Sequence, residues 1–299
     1  MAEGDSAIGA ALLQMSPAQY GWLALAFVCV ILHYLAEPAR WTTLFPAAAR
    51  FRTWLSVFGF TALVSYVFPF KLGLPLRIYF LNRKLKLSLP DLTSAMTLDA
   101  MLYYGLWLLA GIAGFSLLTR RVDLPELPVA VLLPLALAGA AVAVLVLLRV
   151  RRRLTAGDWR GRIAGIIERF TPARMGIMAA IVTVDILSQL ARHFAMLVAL
   201  GYSLAVVDIT ALTAFAILAG LLSFTPMGLG GYDAVMVGGL TQLGVPVSIA
   251  VLVAVLNRVL TIAAAALIGS AGGHHLGMNP FRLASLRALL RGELAGNRQ

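Results

Sequence analysis

The chain has 299 residues, of which 61% are apolar and only 12% are charged. A soluble domain carries about 25% charged residues, and the apolar residues here form blocks long enough to cross about 30 Å of hydrocarbon. This composition excludes a soluble globular enzyme. The basic residues behind the net charge of +11 flank the apolar blocks, which indicates topology determinants and contacts with anionic headgroups rather than nucleic-acid binding.

The predicted elements are five full transmembrane helices and two shorter helical hairpins, all in one membrane domain. In chain order, the full spans cover 19–36, 90–118, 127–148, 174–200 and 246–272. The predicted re-entrant hairpins cover 53–83 and 205–243 and contain glycine and proline near their midpoints. In the alternative, each hairpin arm crosses most of the membrane, which gives eight or nine helices. Both versions are all-α polytopic membrane proteins, with seven to nine hydrophobic segments.

The topology follows from the basic stretch 149–174, which carries eight arginines. The positive-inside rule places it in the cytoplasm. The predicted loop 37–52, with Arg40, Arg50 and Arg52, satisfies the same rule only if the first hairpin enters and leaves on the cytoplasmic side. The second hairpin then enters from outside.

This threading divides the chain into three parts. Residues 1–18 hold two acids and no basic residue, so we expect an external amino-terminal segment. Residues 19–275 form the transmembrane domain, and residues 276–299 form a cytoplasmic tail. Within that tail, leucine and arginine recur at helical spacing over 280–294, which predicts an interfacial amphipathic helix.

An internal repeat supports the two hairpins. The segments PFKLG at 69–73 and PMGLG at 226–230 share a P-x-x-x-G pattern, and a proline opens a long apolar helix 21 and 20 residues after them. Paired glycines lie near the ends of those two helices, namely Gly111 and Gly114, and Gly269 and Gly272. An odd number of crossings separates the copies, so the repeats are predicted to be inverted. Inverted repeats with broken helices are typical of secondary transporters, which bind substrate where the breaks meet.

Several charged residues fall where lipid is expected, and such residues usually face the bundle interior and have a function. Asp185, Gln189 and Arg192 share one face of their helix because they are spaced i, i+4 and i+7. The remaining candidates lie at the breaks or within spans, namely Lys71, Arg77, Asp99, Asp233 and Arg258. For each residue the alternative is a structural ion pair, for example between Asp233 and Arg258.

Together these residues predict a cationic, partly compensated cavity that suits a phosphate or another anionic headgroup, because arginine forms bidentate bonds to phosphate. The helix after each break would also direct free backbone N–H groups at the cavity. Gly228, Gly230 and Gly231 follow no strand, so they indicate a tight turn rather than a nucleotide-binding loop. No metal or cofactor motif is recognised.

With these residues in view, the chain resembles the lysylphosphatidylglycerol synthase transmembrane family, which includes the flippase portion of multiple peptide resistance factors. The resemblance rests on four segments: LLSFTPMGLGGYDA at 221–234, LGVPVSIAVLVAVLNRVLTIAAAALIG at 243–269, SQLARHFAMLVALGYSL at 188–204 and PFKLGLPLRIYFLNRK at 69–84. It implies substrate-binding roles for Lys71, Gly73 and Arg77 from the first landmark. From the second landmark it implies such roles for Pro226, Gly228, Gly230, Asp233 and Arg258.

The chain departs from the family pattern at three positions. Leu74 stands where the first landmark has an acid, Asp233 replaces a glutamate, and Ala100 follows Asp99 where an arginine is expected. Headgroup contacts therefore differ from those of the family. The family's soluble synthase domain is absent from these 299 residues, so lipid aminoacylation by this chain is not expected.

The leading hypothesis is a transporter, without enzymatic activity or cofactor, that moves an anionic phospholipid or a polyprenyl-linked carrier across the bacterial cytoplasmic membrane. Membrane lipids are the expected partners, and a homo-oligomer is left open. The alternative is a non-catalytic membrane scaffold for a lipid or polysaccharide biosynthetic enzyme. An intramembrane enzyme is disfavoured, because no nucleophile with a base and no metal set is present in the sequence.

Overall fold

A computed structural model describes residues 15–68, 72–118, 171–223, 228 and 230–278, with side chains described only to Gly114 in the second range. These ranges contain eight helices: α1 (Pro17–Leu44), α2 (Phe51–Val67), α3 (Gly73–Arg83), α4 (Leu89–Leu118), α5 (Pro172–Ala199), α6 (Val206–Leu222), α7 (Gly231–Gln242) and α8 (Val247–Leu276). The predicted span 127–148, nearly all of the basic stretch 149–174, the amphipathic helix 280–294 and most of the external segment 1–18 lie outside the described residues.

Four helices are long and apolar enough to cross a membrane, and they match four of the five predicted spans. These are α1, α5 and α8, and α4 over Leu89–Gly114. Large apolar side chains such as Val28, Met101, Leu187 and Val255 are exposed on them, whereas charged side chains are buried between the helices. This distribution is the reverse of that in a soluble protein. The prediction of an all-α polytopic membrane protein is confirmed.

Both predicted hairpins fold back on themselves. Gly73 at the start of α3 packs on Ser65 near the end of α2, and Phe80 near the end of α3 meets Phe60 edge to face at 5.9 Å between ring centroids, so α3 runs antiparallel to α2. In the second hairpin, α7 returns along α6, because Gly239 packs on Leu212 and Gly231 on Ala219. The returning arms have 11 and 12 residues, or about 17–18 Å of helix. They are too short to cross the hydrocarbon.

The eight helices form two repeats of four. Their lengths are 28, 17, 11 and 30 residues in the first repeat and 28, 17, 12 and 30 in the second. Both repeats begin with a hydroxyl N-cap followed by proline: Ser16 accepts a bond from Gln19 N, and Thr171 accepts one from Arg174 N. Capping of this kind fixes each helix start, since it satisfies otherwise free N–H groups.

The second repeat is inverted relative to the first. In the contact between α1 and α5, Gln19 donates to the carbonyl of Ala199, and His33 contacts Asp185. Residue numbers therefore rise along α1 as they fall along α5, so the two equivalent helices are antiparallel. The inverted arrangement predicted from the P-x-x-x-G pair is present in the structure.

Each repeat packs its last helix against the first hairpin arm of the other. On α4, Gly111 and Gly114 face Ala214 and Ala211 of α6. On α8, Gly269 and Gly272 face the backbone of Gly59 and Ser56 on α2. Glycine at these positions lets helix backbones approach closely, which is the usual basis of helix association in membranes. The four glycines identified in the sequence are thus the contacts that interlock the repeats.

One predicted boundary is wrong. Residues 37–44 do not belong to a cytoplasmic loop, because α1 continues through Pro38 to Leu44. Arg40 is consequently not a topology determinant at the membrane surface. It is 4% exposed and contacts two aspartates, whereas Arg50 and Arg52 beyond the helix end are exposed. The misassignment arose because an arginine beside a span was attributed to the positive-inside rule.

Candidate functional site

Arg40 of α1 joins two aspartates from different helices. Its Nε donates to Asp99 Oδ1 on α4 at 2.5 Å, and its Nη1 donates to Asp185 Oδ2 on α5 at 3.1 Å. Asp99 and Asp185 are 7% and 1% exposed. Buried charges are tolerated only when they are paired and hydrogen-bonded. This triad therefore ties three long helices from both repeats into one buried polar centre.

Two further side chains contact Asp185. His33 Nδ1 lies 2.7 Å from Asp185 Oδ1, and Gln189 Nε2 donates to the same oxygen at 3.1 Å. Gln189 also donates to the hydroxyl of Tyr103, 2.8 Å away, and the Arg40 guanidinium lies 5.4 Å from the Tyr103 ring centroid. His33 is the most exposed of these side chains, at 31%, so the network reaches from the bundle interior toward its surface.

Arg77 lies just after the first break and is paired. Its Nη1 donates to Glu37 Oε1 of α1 at 2.6 Å, and its Nε donates to Thr61 Oγ1 of α2 at 3.2 Å. The guanidinium also sits 4.2 Å from the ring centroid of Phe58. The pair fixes the first hairpin to α1, one helical turn from Arg40.

The second break carries the ion pair that the sequence suggested. Arg258 of α8 donates from Nε and Nη2 to the two oxygens of Asp233, at 3.0 and 2.9 Å. Asp233 Oδ2 also accepts the backbone N–H of Gly230 at 3.2 Å. At the start of α7, the chain's own carboxylate thus occupies the N–H of Gly230. The guanidinium lies 5.4 Å from the Tyr232 ring centroid.

The predicted glycines shape the breaks. Gly228 and Gly230 have φ of +70° and +88°, a conformation that side chains rarely adopt. A Cβ on Gly228 would meet the backbone of Gly220, and one on Gly73 would meet Ser65 and the carbonyl of Thr61. Their role in the structure is close backbone approach at the hairpin tips. Lys71 and Pro226 lie outside the described residues.

Arg192 of α5 lies near residues that flank both breaks. It is 5% exposed and lies beside the hydroxyl of Tyr232. Tyr34 and Tyr66 are within its electrostatic range, and Tyr66 is also within that of Arg258. Its neighbour His193 bonds the Tyr232 hydroxyl at 2.6 Å and the Gln189 carbonyl at 2.7 Å. Residues from both repeats therefore converge here.

The structure brings the described candidate residues into one polar region that runs from Asp99 and Asp185, through Arg77, to Arg192, Asp233 and Arg258. Sequence reasoning missed His33, Glu37 and Arg40. Their spacing of i, i+4 and i+7 is the pattern that identified Asp185, Gln189 and Arg192 on the equivalent helix, so the signal was present. Within the described ranges, no cluster of three His, Cys, Asp or Glu side chains could hold a metal ion.

The fold and the buried polar region define a multi-pass helical membrane protein built from two interlocked inverted repeats. The family described as "Lysylphosphatidylglycerol synthase TM region" matches residues 4–269, and the chain belongs to that family. Membership connects the protein with membrane lipids. No curated protein matches the chain, and no solved structure does.

Proposed function

We propose that the protein is a transporter of an amphiphilic anionic lipid, either a phospholipid or a polyprenyl-linked carrier, across the bacterial cytoplasmic membrane. It acts without a cofactor or catalytic chemistry. In this proposal, the headgroup enters the polar region between the hairpin tips while the acyl or prenyl tails remain in the bilayer. The amino terminus is external and the carboxyl tail cytoplasmic.

One observation carries the proposal. Four arginines and four carboxylates from both repeats are gathered inside a bundle whose outer surface is apolar, at the place where two oppositely oriented broken helices meet. Placing charges inside a membrane is costly, and evolution retains them mainly along substrate or ion pathways. Inverted repeats provide two alternative packings of similar energy, the arrangement on which alternating access depends.

The two ion pairs at the hairpin tips can act as a gate for the headgroup as well as contribute to its binding surface. Arg77 with Glu37 closes the first tip on α1, and Arg258 with Asp233 closes the second on α8. Both pairs are partly exposed, unlike the Arg40 triad. An anionic headgroup competes with the carboxylate for the guanidinium, so entry of substrate weakens the contact that holds the tip. Release of substrate restores that contact.

Removing both gating pairs tests this proposal. We expect the quadruple variant Glu37→Gln, Arg77→Gln, Asp233→Asn, Arg258→Gln to fold, because no charge is left without its partner. We expect it to move fluorescent phosphatidylglycerol across reconstituted liposomes at least ~10-fold more slowly than the wild type, the order of effect when a charge-assisted bond worth about 1.5–3 kcal/mol is lost. Dithionite quenching from outside reports the rate.

Exposed Arg83→Ala is the matched control, since it removes a surface charge from the same hairpin, and its rate should equal that of the wild type. A quadruple variant as fast as wild type contradicts the assigned residues. Wild-type protein that moves lipid no faster than protein-free liposomes contradicts transport. That second result favours the scaffold alternative, with which fully compensated ion pairs are equally consistent.

A further inference from the structure

Among the described residues, Arg192 is a buried cation without a carboxylate partner. Arg40, Arg77 and Arg258 each pair with an acid, but none of the ion pairs among the described residues includes Arg192. Its Nε is buried and makes no hydrogen bond. An unpaired guanidinium inside a membrane protein is unfavourable, and an unbonded donor adds to that cost. A ligand that supplies a negative charge and a hydrogen-bond acceptor would therefore stabilise the Arg192 guanidinium.

The inverted repeat shows where the missing partner would have been. Glu37 lies 20 residues after the start of α1, and Arg192 lies 20 residues after the start of α5. Glu37 is neutralised by Arg77, the fifth residue of α3, but the fifth residue of α7 is Val235. The second repeat therefore carries a charge of opposite sign and an apolar residue where the first repeat has its ion pair.

Tyrosine side chains from three helices lie near Arg192. Tyr232 from the second hairpin lies beside its guanidinium, and Tyr34 from α1 and Tyr66 from the end of α2 lie in its field. Arg258 is close enough to influence Tyr66 and Tyr232, but Asp233 already neutralises it. Of the described charges that act on Tyr66 and Tyr232, two are arginines and one is a carboxylate, which leaves a local excess of one positive charge. Tyr66 and Tyr232 are only partly buried, so the tyrosines beside Arg192 reach the bundle surface.

We propose that the guanidinium of Arg192 is the subsite for the phosphate of the transported headgroup. This proposal rests on the proposed transport function. In it, Arg192 rather than Arg77 or Arg258 is the main contact of the phosphate. A phosphate diester supplies one negative charge and two free oxygens. Those oxygens accept from the open Nε edge of the guanidinium. The Tyr232 hydroxyl donates to His193 Nε2 and the Tyr34 hydroxyl to the carbonyl of Thr261, so these tyrosines position the guanidinium and do not donate to the phosphate. The bound phosphate removes the local charge excess.

The test compares the purified protein and three variants by thermal unfolding and by titration with dioctanoyl phosphatidylglycerol, inorganic phosphate and dioctanoylglycerol. Arg192→Met should weaken binding of the phospholipid at least 10-fold. Its unfolding temperature without ligand should equal or exceed that of the wild type, because an unpaired buried charge has been removed. Arg192→Lys, which keeps the charge but not the planar fork, should bind with an intermediate affinity, and Tyr232→Phe should also weaken binding.

The outcomes separate the subsite from transport. Dioctanoylglycerol should not raise the unfolding temperature, since it lacks phosphate. If inorganic phosphate stabilises the wild type but not Arg192→Met, the anion is recognised without its tails; if only the phospholipid does so, the phosphate is recognised as part of a lipid. Equal phospholipid affinity in wild type and Arg192→Met, or an equal effect of dioctanoylglycerol, overturns the subsite. Arg192-dependent binding without lipid movement in liposomes would leave the subsite standing and contradict transport alone.

Discussion

Replacing Arg40 with methionine should cost about 3–5 kcal/mol of folding stability, the penalty for leaving buried carboxylates without their partner. Arg40 neutralises Asp99 and Asp185 together, so its loss exposes two charges to one another across the α4–α5 contact. We expect the variant to be recovered in low yield and to aggregate on size-exclusion chromatography after mild heating. Fluorescence-detected chromatography over a temperature series measures this loss.

Two companion variants show whether charge is the cause. Arg52→Met is the matched control. Arg52 belongs, like Arg40, to the segment 37–52, but it is exposed at the start of α2. This variant should unfold like the wild type. Adding Asp99→Asn and Asp185→Asn to Arg40→Met removes the unpaired charges and should recover most of the stability. If Arg40→Met is as stable as Arg52→Met, the triad is not a structural centre.

The architecture could be predicted from the sequence because the membrane imposes strong rules. Apolar blocks of span length, interrupted at PFKLG and PMGLG, led to four of the helices and both hairpins. In hydrocarbon every backbone group must be satisfied within the segment, so apolar length translates directly into helix. The inversion followed from counting crossings between the two P-x-x-x-G copies. The contacts between α1 and α5 then confirmed it.

The pairing of charges could not be predicted in the same way. Asp185 was placed correctly on a buried face, but its partners Arg40 and His33 come from a helix 145 and 152 residues away in the sequence. Hydropathy reports which segments cross the membrane and not which faces meet. Only the pair of Asp233 and Arg258, 25 residues apart on consecutive helices, was named as an ion pair from the sequence.

The distinction between Arg192 and the other arginines also required the structure. In the sequence, Arg77 and Arg258 border the breaks or the midplane, which made them candidate phosphate ligands alongside Arg192. The structure places a carboxylate against each of them and none of the described carboxylates against Arg192. The first repeat has Glu37 and Arg77 at two positions where the second repeat has Arg192 and Val235. This asymmetry leaves Arg192 without a partner among the described carboxylates.

The glycines that interlock the repeats support the second large prediction. A Cβ on Gly114 would lie 2.9 Å from Ala211 N, and one on Gly272 would lie 2.6 Å from Ser56 O. Backbone atoms cannot move aside as a flexible side chain can, so leucine at either position forces the helices apart. We expect Gly114→Leu and Gly272→Leu each to destabilise the protein by roughly 2–3 kcal/mol. Their similar effects follow from the equivalence of α4 and α8.

Gly105→Leu is the control on the same helix as Gly114, since a Cβ at Gly105 meets nothing within 4 Å. It should behave like the wild type in a thermal series followed by tryptophan fluorescence. Because each last helix packs on the first arm of the opposite repeat, both leucine variants should also slow lipid movement, although neither glycine contacts the charged region. A Gly272→Leu protein that unfolds at the same temperature as Gly105→Leu would mean that the close approach of α8 to α2 does not hold the repeats together.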